Sequence, residues 1–140
     1  MSDRETVLFA NAAFYAAFAT RDVKAMERLW ASGDVMCIHP GWPPLTGREA
    51  VMASWRNILG GQNAPDISCR KAVASIYGTT AIVTCVEVIT SRDETQQALC
   101  ATNIFVRAAG SREWHMIHHQ SGQAHIDPKR IEEDDVPPMN

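Results

Sequence analysis

Trp114-His115-Met116-Ile117-His118-His119-Gln120-Ser121-Gly122 is the stretch on which the reading of this chain turns, because it sets three histidines and a serine in what otherwise reads as a core strand. Successive side chains of a strand point to opposite faces. Regular alternation therefore places His115, Ile117, His119 and Ser121 on one face and Trp114, Met116, His118 and Gln120 on the other. The adjacent pair His118 and His119 cannot grip one metal ion. His115 and His119 share a face, but at about 3.3 Å per residue they stand about 13 Å apart, too far for a single ion with bonds of about 2 Å. No metal site is expected; the stretch reads as a polar wall, one side of a pocket.

Upstream of it the apolar pattern has period two. Residues 67–76, 80–90, 95–107 and 113–121 read as four strands, joined by short turns at Tyr77-Gly78-Thr79, Ser91-Arg92-Asp93-Glu94 and Ala108-Ala109-Gly110-Ser111, which favours an antiparallel meander. Before residue 60 the period is helical. Residues 4–20 give a first helix with an apolar face through Leu8, Ala12, Tyr15 and Ala19, and with Phe14 and Phe18 beside it. Asp22 is placed to cap a second over 23–31, with Val23, Met26, Leu29 and Trp30 inward and Gly33 as its stop. After a short strand at 35–38, the run His39-Pro40-Gly41-Trp42-Pro43-Pro44 forbids regular structure. Thr46-Gly47-Arg48-Glu49 then matches a capping box that opens a third helix to about residue 59, with Val51, Trp55 and Ile58 inward. Helices followed by strands define an α+β fold, three helices packed on one face of a curved, mostly antiparallel sheet.

The chain has 140 residues, 46% apolar and 21% charged, with a net charge of −3, which suits one domain with its own core. Residues 1–125 form that domain, and residues 126–140, with Glu132-Glu133-Asp134-Asp135 and Pro137-Pro138, read as an acidic, solvated, mobile tail. Lys and Arg are scattered singly, so no nucleic-acid partner is expected. No stretch has the length of a membrane span and no secretory signal opens the chain, which points to a cytoplasmic protein with no membrane partner. The widely spaced Cys37, Cys69, Cys85 and Cys100 read as buried free thiols.

Strand parity places Glu87 with Val83, Cys85 and Ile89, and Asn103 with Ala101 and Phe105: lone polar groups among apolar neighbours. A carboxylate in such company is costly unless paired or protonated, so its pKa rises. Glu87 is thereby a candidate acid or base, with Asn103 and His119 as candidate partners on neighbouring strands; the alternative is that Glu87 faces solvent or an interface. His39 and Trp42 form either a structural turn or the mouth of a cavity. Tyr15 and Trp55 are either core packing or pocket lining. The other sheet face, carrying Ile82, Val86, Val88, Ile104, Val106 and Met116, is apolar enough to predict a homodimer through the sheet.

An ordered series of motifs then resembles the nuclear transport factor 2-like superfamily, in its SnoaL-like branch. Phe14-Tyr15-x-Ala17-Phe18 with Asp22 and Met26 to Trp30 is similar to its opening helices. Cys37 to Trp42, Leu45-x-Gly47-Arg48-x-Ala50-Val51 and Ser54-Trp55 are similar to its turn and third helix. Thr102-Asn103-Ile104-Phe105 and Trp114-x-Met116-Ile117-His118-His119-Gln120 are similar to its last two strands. The resemblance implies a cone-shaped fold, a deep cavity between helices and sheet, and dimerisation through the outer face. It does not fix a function, since relatives include ketosteroid isomerase and the association domain of calcium/calmodulin-dependent kinase II. The aspartate pair and tyrosine of the isomerase have no matching positions here, nor do the pocket arginines of the association domain. Two functions follow as expectations. The first is a protein that binds a small apolar or semi-polar ligand, as a cofactor-free isomerase, dehydratase or cyclase in which Glu87 or His119 is the general base and Asn103 holds a carbonyl or hydroxyl. The second is a non-catalytic dimerisation or assembly module.

Overall fold

Ser2 and Glu5 start the first helix, α1 (Asp3–Thr20), through a reciprocal cap: the Ser2 hydroxyl accepts from the Glu5 amide at 3.1 Å and the Glu5 carboxylate accepts from the Ser2 amide at 3.2 Å. The structure is a computed structural model and describes residues 1–62 and 64–131. The buried face of α1 runs through Val7, Asn11, Phe14 and Tyr15, not through Leu8, Ala12 and Ala19; Ala19 is exposed. Tyr15 is buried as expected, but Phe14, expected only beside the face, has no exposed surface and lies at its centre, which rotates the helix away from Ala12 and Ala19.

Asp22 caps α2 (Val23–Leu29), accepting from the Ala25 amide at 3.0 Å. The helix ends two residues earlier than the sequence suggests. Trp30 turns extended (φ −85°, ψ 143°) and bridges to Met116, and the Ala31 amide donates to the Met116 carbonyl at 2.9 Å. Sheet pairing therefore stops α2, and Gly33 has no part in it. After β1 (Met36–Ile38) comes a strand the sequence did not announce, β2 (Leu45–Thr46), paired antiparallel with β1. Thr46 is thus a strand residue and the expected capping box does not form. The cap of α3 (Arg48–Leu59) is Gly47, at φ 90° and with no side-chain bond. Only glycine adopts that angle without strain, and it lets the chain turn from β2 into α3 within one residue. Arg48 ties the start of α3 to the end of α2, donating to the carbonyls of Glu27 (2.7 Å), Trp30 and Ala31 (both 2.9 Å).

Four long strands complete the chain as the expected meander: β3 (Asp66–Tyr77), β4 (Thr80–Thr90), β5 (Gln96–Val106) and β6 (His115–Gln123). The six-stranded sheet has the order β2-β1-β6-β5-β4-β3, antiparallel throughout except where β1 lies parallel to β6 with Cys37 opposite His119. The α+β fold is thus as read, with the large core side chains Phe14, Met26, Trp55, Phe105 and Met116 between helices and sheet. Burying each is worth about 1.5–3 kcal/mol.

One irregularity overturns the parity of the starting stretch. Between β5 and β6 the register shifts: Ile104 faces His118 while Phe105 faces Met116, so Ile117 is an extra residue. Trp114 and Met116 consequently share the core side with His119 and Ser121, and His115 does not. Met116 has no exposed surface and is no part of an outer apolar face. Val88 is also covered, by Ala98 and by Ile131, whose carbonyl accepts from the Arg70 guanidinium at 2.6 Å. All four cysteines are free, but only Cys37 and Cys85 are buried; Cys69 is half-buried and Cys100 exposed, against the expectation for the set. The acidic run and prolines beyond Ile131 lie outside the described residues. No helix among the described residues is long and apolar enough to cross a membrane.

Candidate functional site

Under α1, four of the singled-out side chains meet. Tyr15 donates its hydroxyl hydrogen to Glu87 Oε2 at 2.6 Å, Asn103 Nδ2 donates to the Tyr15 oxygen at 3.1 Å, and Asn103 Oδ1 lies 2.5 Å from His119 Nδ1. His119 Nε2 stands 3.9 Å from Glu87 Oε2. None of the four is more than 5% exposed. The strands place three of them: Asn103 on β5 is directly opposite His119 on β6, whereas Glu87 on β4 pairs with Leu99, four residues along β5 from Asn103, and reaches the others through its side chain. The helix contributes the fourth. Asn103 meets Glu87 only through the Tyr15 hydroxyl, which accepts from the one and donates to the other.

The network assigns its own protons. Asn103 Nδ2 has two hydrogens and two acceptors, the Tyr15 oxygen and Asn11 Oδ1 at 2.8 Å. Its Oδ1 must therefore accept from His119, so Nδ1 carries the imidazole proton and Nε2 is left with its lone pair toward Glu87. Burial holds His119 neutral, lowering its pKa to about 3, with the nearby His39 and His118 acting in the same direction. Burial raises Glu87 to about 7, against hydrogen bonds from Tyr15 and Ser121 that favour the carboxylate. The 3.9 Å approach of Glu87 and His119 is consequently not an ion pair: the imidazole stays unprotonated at every pH at which the carboxyl is ionised. Tyr15 is pushed well up by burial and by the Glu87 charge, so it remains a donor.

The remaining candidates form an aromatic layer beside this cluster. His39 packs edge-on against Trp55 (4.7 Å between ring centres) and Trp42 (4.9 Å), and Phe14 lies 4.9 Å from His119. Trp55 is buried, whereas Trp42 is 40% exposed on a turn closed by its amide to the His39 carbonyl. The His39 ring is fixed by Ser54: its hydroxyl donates to the Val51 carbonyl at 2.7 Å, so it accepts from His39 Nε2 at 2.8 Å. Burial lowers the His39 pKa to about 4. The buried indole N–H of Trp55 has no hydrogen-bond partner among the described residues. Among those residues, no group of three or more His, Cys, Asp or Glu side chains is gathered to hold a metal.

Sequence reasoning missed Asn11, Ser54 and the role of Ser121. Asn11 carried a signal, a polar residue one helical turn before Tyr15 on the same face. It orients the amide of Asn103 and through it the tautomer of His119. In Asn11→Ala the Asn103 amide is free to turn, and ring nitrogen NMR is expected to change His119 from a single Nδ1–H form to a mixture of tautomers, with a stability loss of about 1–3 kcal/mol for the orphaned donor. An unchanged single form would refute this role.

Three helices over an open, mostly antiparallel six-stranded sheet, with a buried polar cluster at their junction, define the cystatin-like α+β class to which nuclear transport factor 2-like proteins belong. The chain is a member of the SnoaL-like domain family, which it matches over residues 7–125. Among solved structures, it is similar to a candidate dehydratase of the NTF2-like family from Streptomyces avermitilis (31% identity, TM-score 0.78, covering 89% of this chain and 97% of that one). It is also similar to a candidate calcium/calmodulin-dependent protein kinase type II association domain from Thiobacillus denitrificans (37% identity, TM-score 0.72, 83% and 93% covered). Among curated proteins it is 27% identical over 126 residues to F-box protein SKIP8 of Arabidopsis thaliana, covering 89% of this chain and 52% of that protein, so the chain spans about half the length of that relative.

Proposed function

We propose that this protein binds a small molecule bearing a carbonyl or hydroxyl group at the Tyr15–Glu87–Asn103–His119 cluster and transfers a proton there, as an isomerase or dehydratase does. The observation that carries the reading is Glu87: a carboxyl with 2% exposure whose pKa is raised to about 7 exchanges its proton at neutral pH. Of the two candidate bases Glu87 is the better. An imidazole lowered to about 3 is a poor proton acceptor, so His119 and Asn103 hold the frame while Glu87 takes the proton and Tyr15 donates to it. The orphaned Trp55 N–H offers a donor for a substrate oxygen. Entry requires the His39–Trp42 turn to swing, since Phe14, His39 and Trp55 close over His119. The likeness to a candidate dehydratase supports the same reading.

The second reading is an assembly module, favoured by 37% identity to a candidate kinase association domain and by the closed state of the cluster. Self-association would use the outer sheet face at Ile82, Val86, Ile104 and Val106, and sedimentation would give a multiple of the chain mass.

One experiment separates the two. Hydroxy and keto acids and small cyclic ketones are titrated against isotope-labelled protein in heavy water. The enzyme reading expects ligands that shift the His119 and Asn103 resonances and exchange a carbon-bound proton, at a rate that falls by about 10²–10⁴ in Glu87→Gln. Exchange that persists in that variant, or no ligand that shifts those resonances, would reject it.

A further inference from the structure

Two depressions that share no residue with the Glu87 cluster adjoin each other at Arg28 and His115, which line both. The larger, about 860 Å³, is a trough between α1 and α2 with apolar walls from Phe9, Ala10, Ala13, Leu29 and Trp114. The smaller, about 310 Å³, is lined by Arg28, Arg48, Arg107 and His115, and by no carboxylate among the described residues.

The charges around the junction do not cancel. Arg107 is neutralised by Asp3, with two bonds at 2.6 and 2.9 Å, and Glu113, the one carboxylate residue lining the trough among the described residues, stands 3.4 Å from His115. Arg48 is turned to the carbonyls of Glu27, Trp30 and Ala31 but keeps its charge. Arg112 adds another guanidinium on the trough rim. Arg28 is exposed and has no carboxylate partner among the described residues, so its donors are available to a ligand. A greasy trough of ordinary ligand size that ends at an unneutralised guanidinium is complementary to one kind of small molecule: a chain or ring system with one anionic end. A planar guanidinium matches a carboxylate with two parallel hydrogen bonds. We propose that this pair of depressions binds an amphiphilic carboxylate, its apolar part in the trough between α1 and α2 and its carboxylate at Arg28 beside His115.

The test is calorimetric titration of the full chain with decanoate and with decanol, in wild type, Arg28→Gln and Ala13→Trp. Both substituted positions are exposed, and thermal unfolding checks that the fold is kept. Decanoate is expected to bind wild type and to weaken about tenfold or more in Arg28→Gln, the loss of a charge-assisted hydrogen bond. Decanol is expected to be indifferent to Arg28→Gln, and both ligands are expected to be lost in Ala13→Trp, which fills the trough. Glu87→Gln should leave decanoate affinity unchanged, which keeps this site's fate separate from that of the cluster. No binding of decanoate, or equal binding to Arg28→Gln, overturns the proposal. So does a fall in sedimenting mass in Ala13→Trp, which would mean that a second copy covers the trough.

Discussion

Taking Glu87→Gln protein from pH 6.5 to pH 4 is expected to remove about 6 kcal/mol of stability, about 3 for each of the buried imidazoles His39 and His119. Both rings have folded-state pKa values, about 4 and about 3, below the ordinary 6.5. As pH falls through 6.5 the unfolded chain takes up two protons that the folded chain refuses, so stability present above 6.5 is lost toward the folded values. Wild type should lose only about half as much. Glu87 works in the opposite sense: its pKa is raised from 4.5 to about 7, so between those values the folded state holds a proton that the unfolded state releases. That stabilisation is complete below 4.5 and returns about 3 kcal/mol as the pH is lowered. Urea unfolding of both proteins at the two pH values, at one fixed concentration, measures the slopes. A flat profile for Glu87→Gln would mean that the two imidazoles are solvated.

The second large effect is the reverse side of the same titration. At pH 8, Glu87→Gln is expected to be more stable than wild type by up to about 3 kcal/mol, and the two should converge near pH 4.5. Above pH 7 wild type keeps an ionised carboxyl with 2% exposure, and the protein pays for its desolvation. The amide of glutamine has the shape of the protonated acid, accepts from Tyr15 through its oxygen, and carries no charge. A gain of stability from changing a buried site residue is what a functional group held in a costly state predicts. If the variant were less stable than wild type at pH 8 and at pH 4.5 alike, the carboxylate would be a structural ion and not a proton carrier.

The sequence made the meander legible because turn residues and period-two runs are local signals, and β4 came out with the expected ends, Thr80–Thr90. Parity within one strand placed Glu87 and Asn103 correctly among apolar neighbours. It failed across β6, where Ile117 is inserted: a bulge is a property of two strands paired, and nothing in Trp114 to Gly122 alone announces it. Thr46 and Glu49 satisfied a capping pattern, yet pairing with β1 claimed Thr46 first. Asn11 is not legible as a buried residue because a polar residue within an apolar helix does not by itself mark its buried face, and the weight of Phe14 decides that rotation. Ser54 was hidden for a different reason, since its partner His39 lies in a turn whose path no periodicity describes.

The parallel pairing of β1 with β6 sets an order of events in folding. The meander from β3 to β6 can zip up through short turns, but Cys37 reaches its place opposite His119 only after the whole intervening chain has been made and β6 is in position. Closing so long a loop costs entropy before its contacts return any, so this step is expected to come late. Until then the turn that carries His39 can rest only on α3, through Ser54 and Trp55, and the polar cluster is expected to be open to water on the β1 side. The aromatic layer over His119 is therefore expected to be among the late-forming and early-opening parts of the molecule.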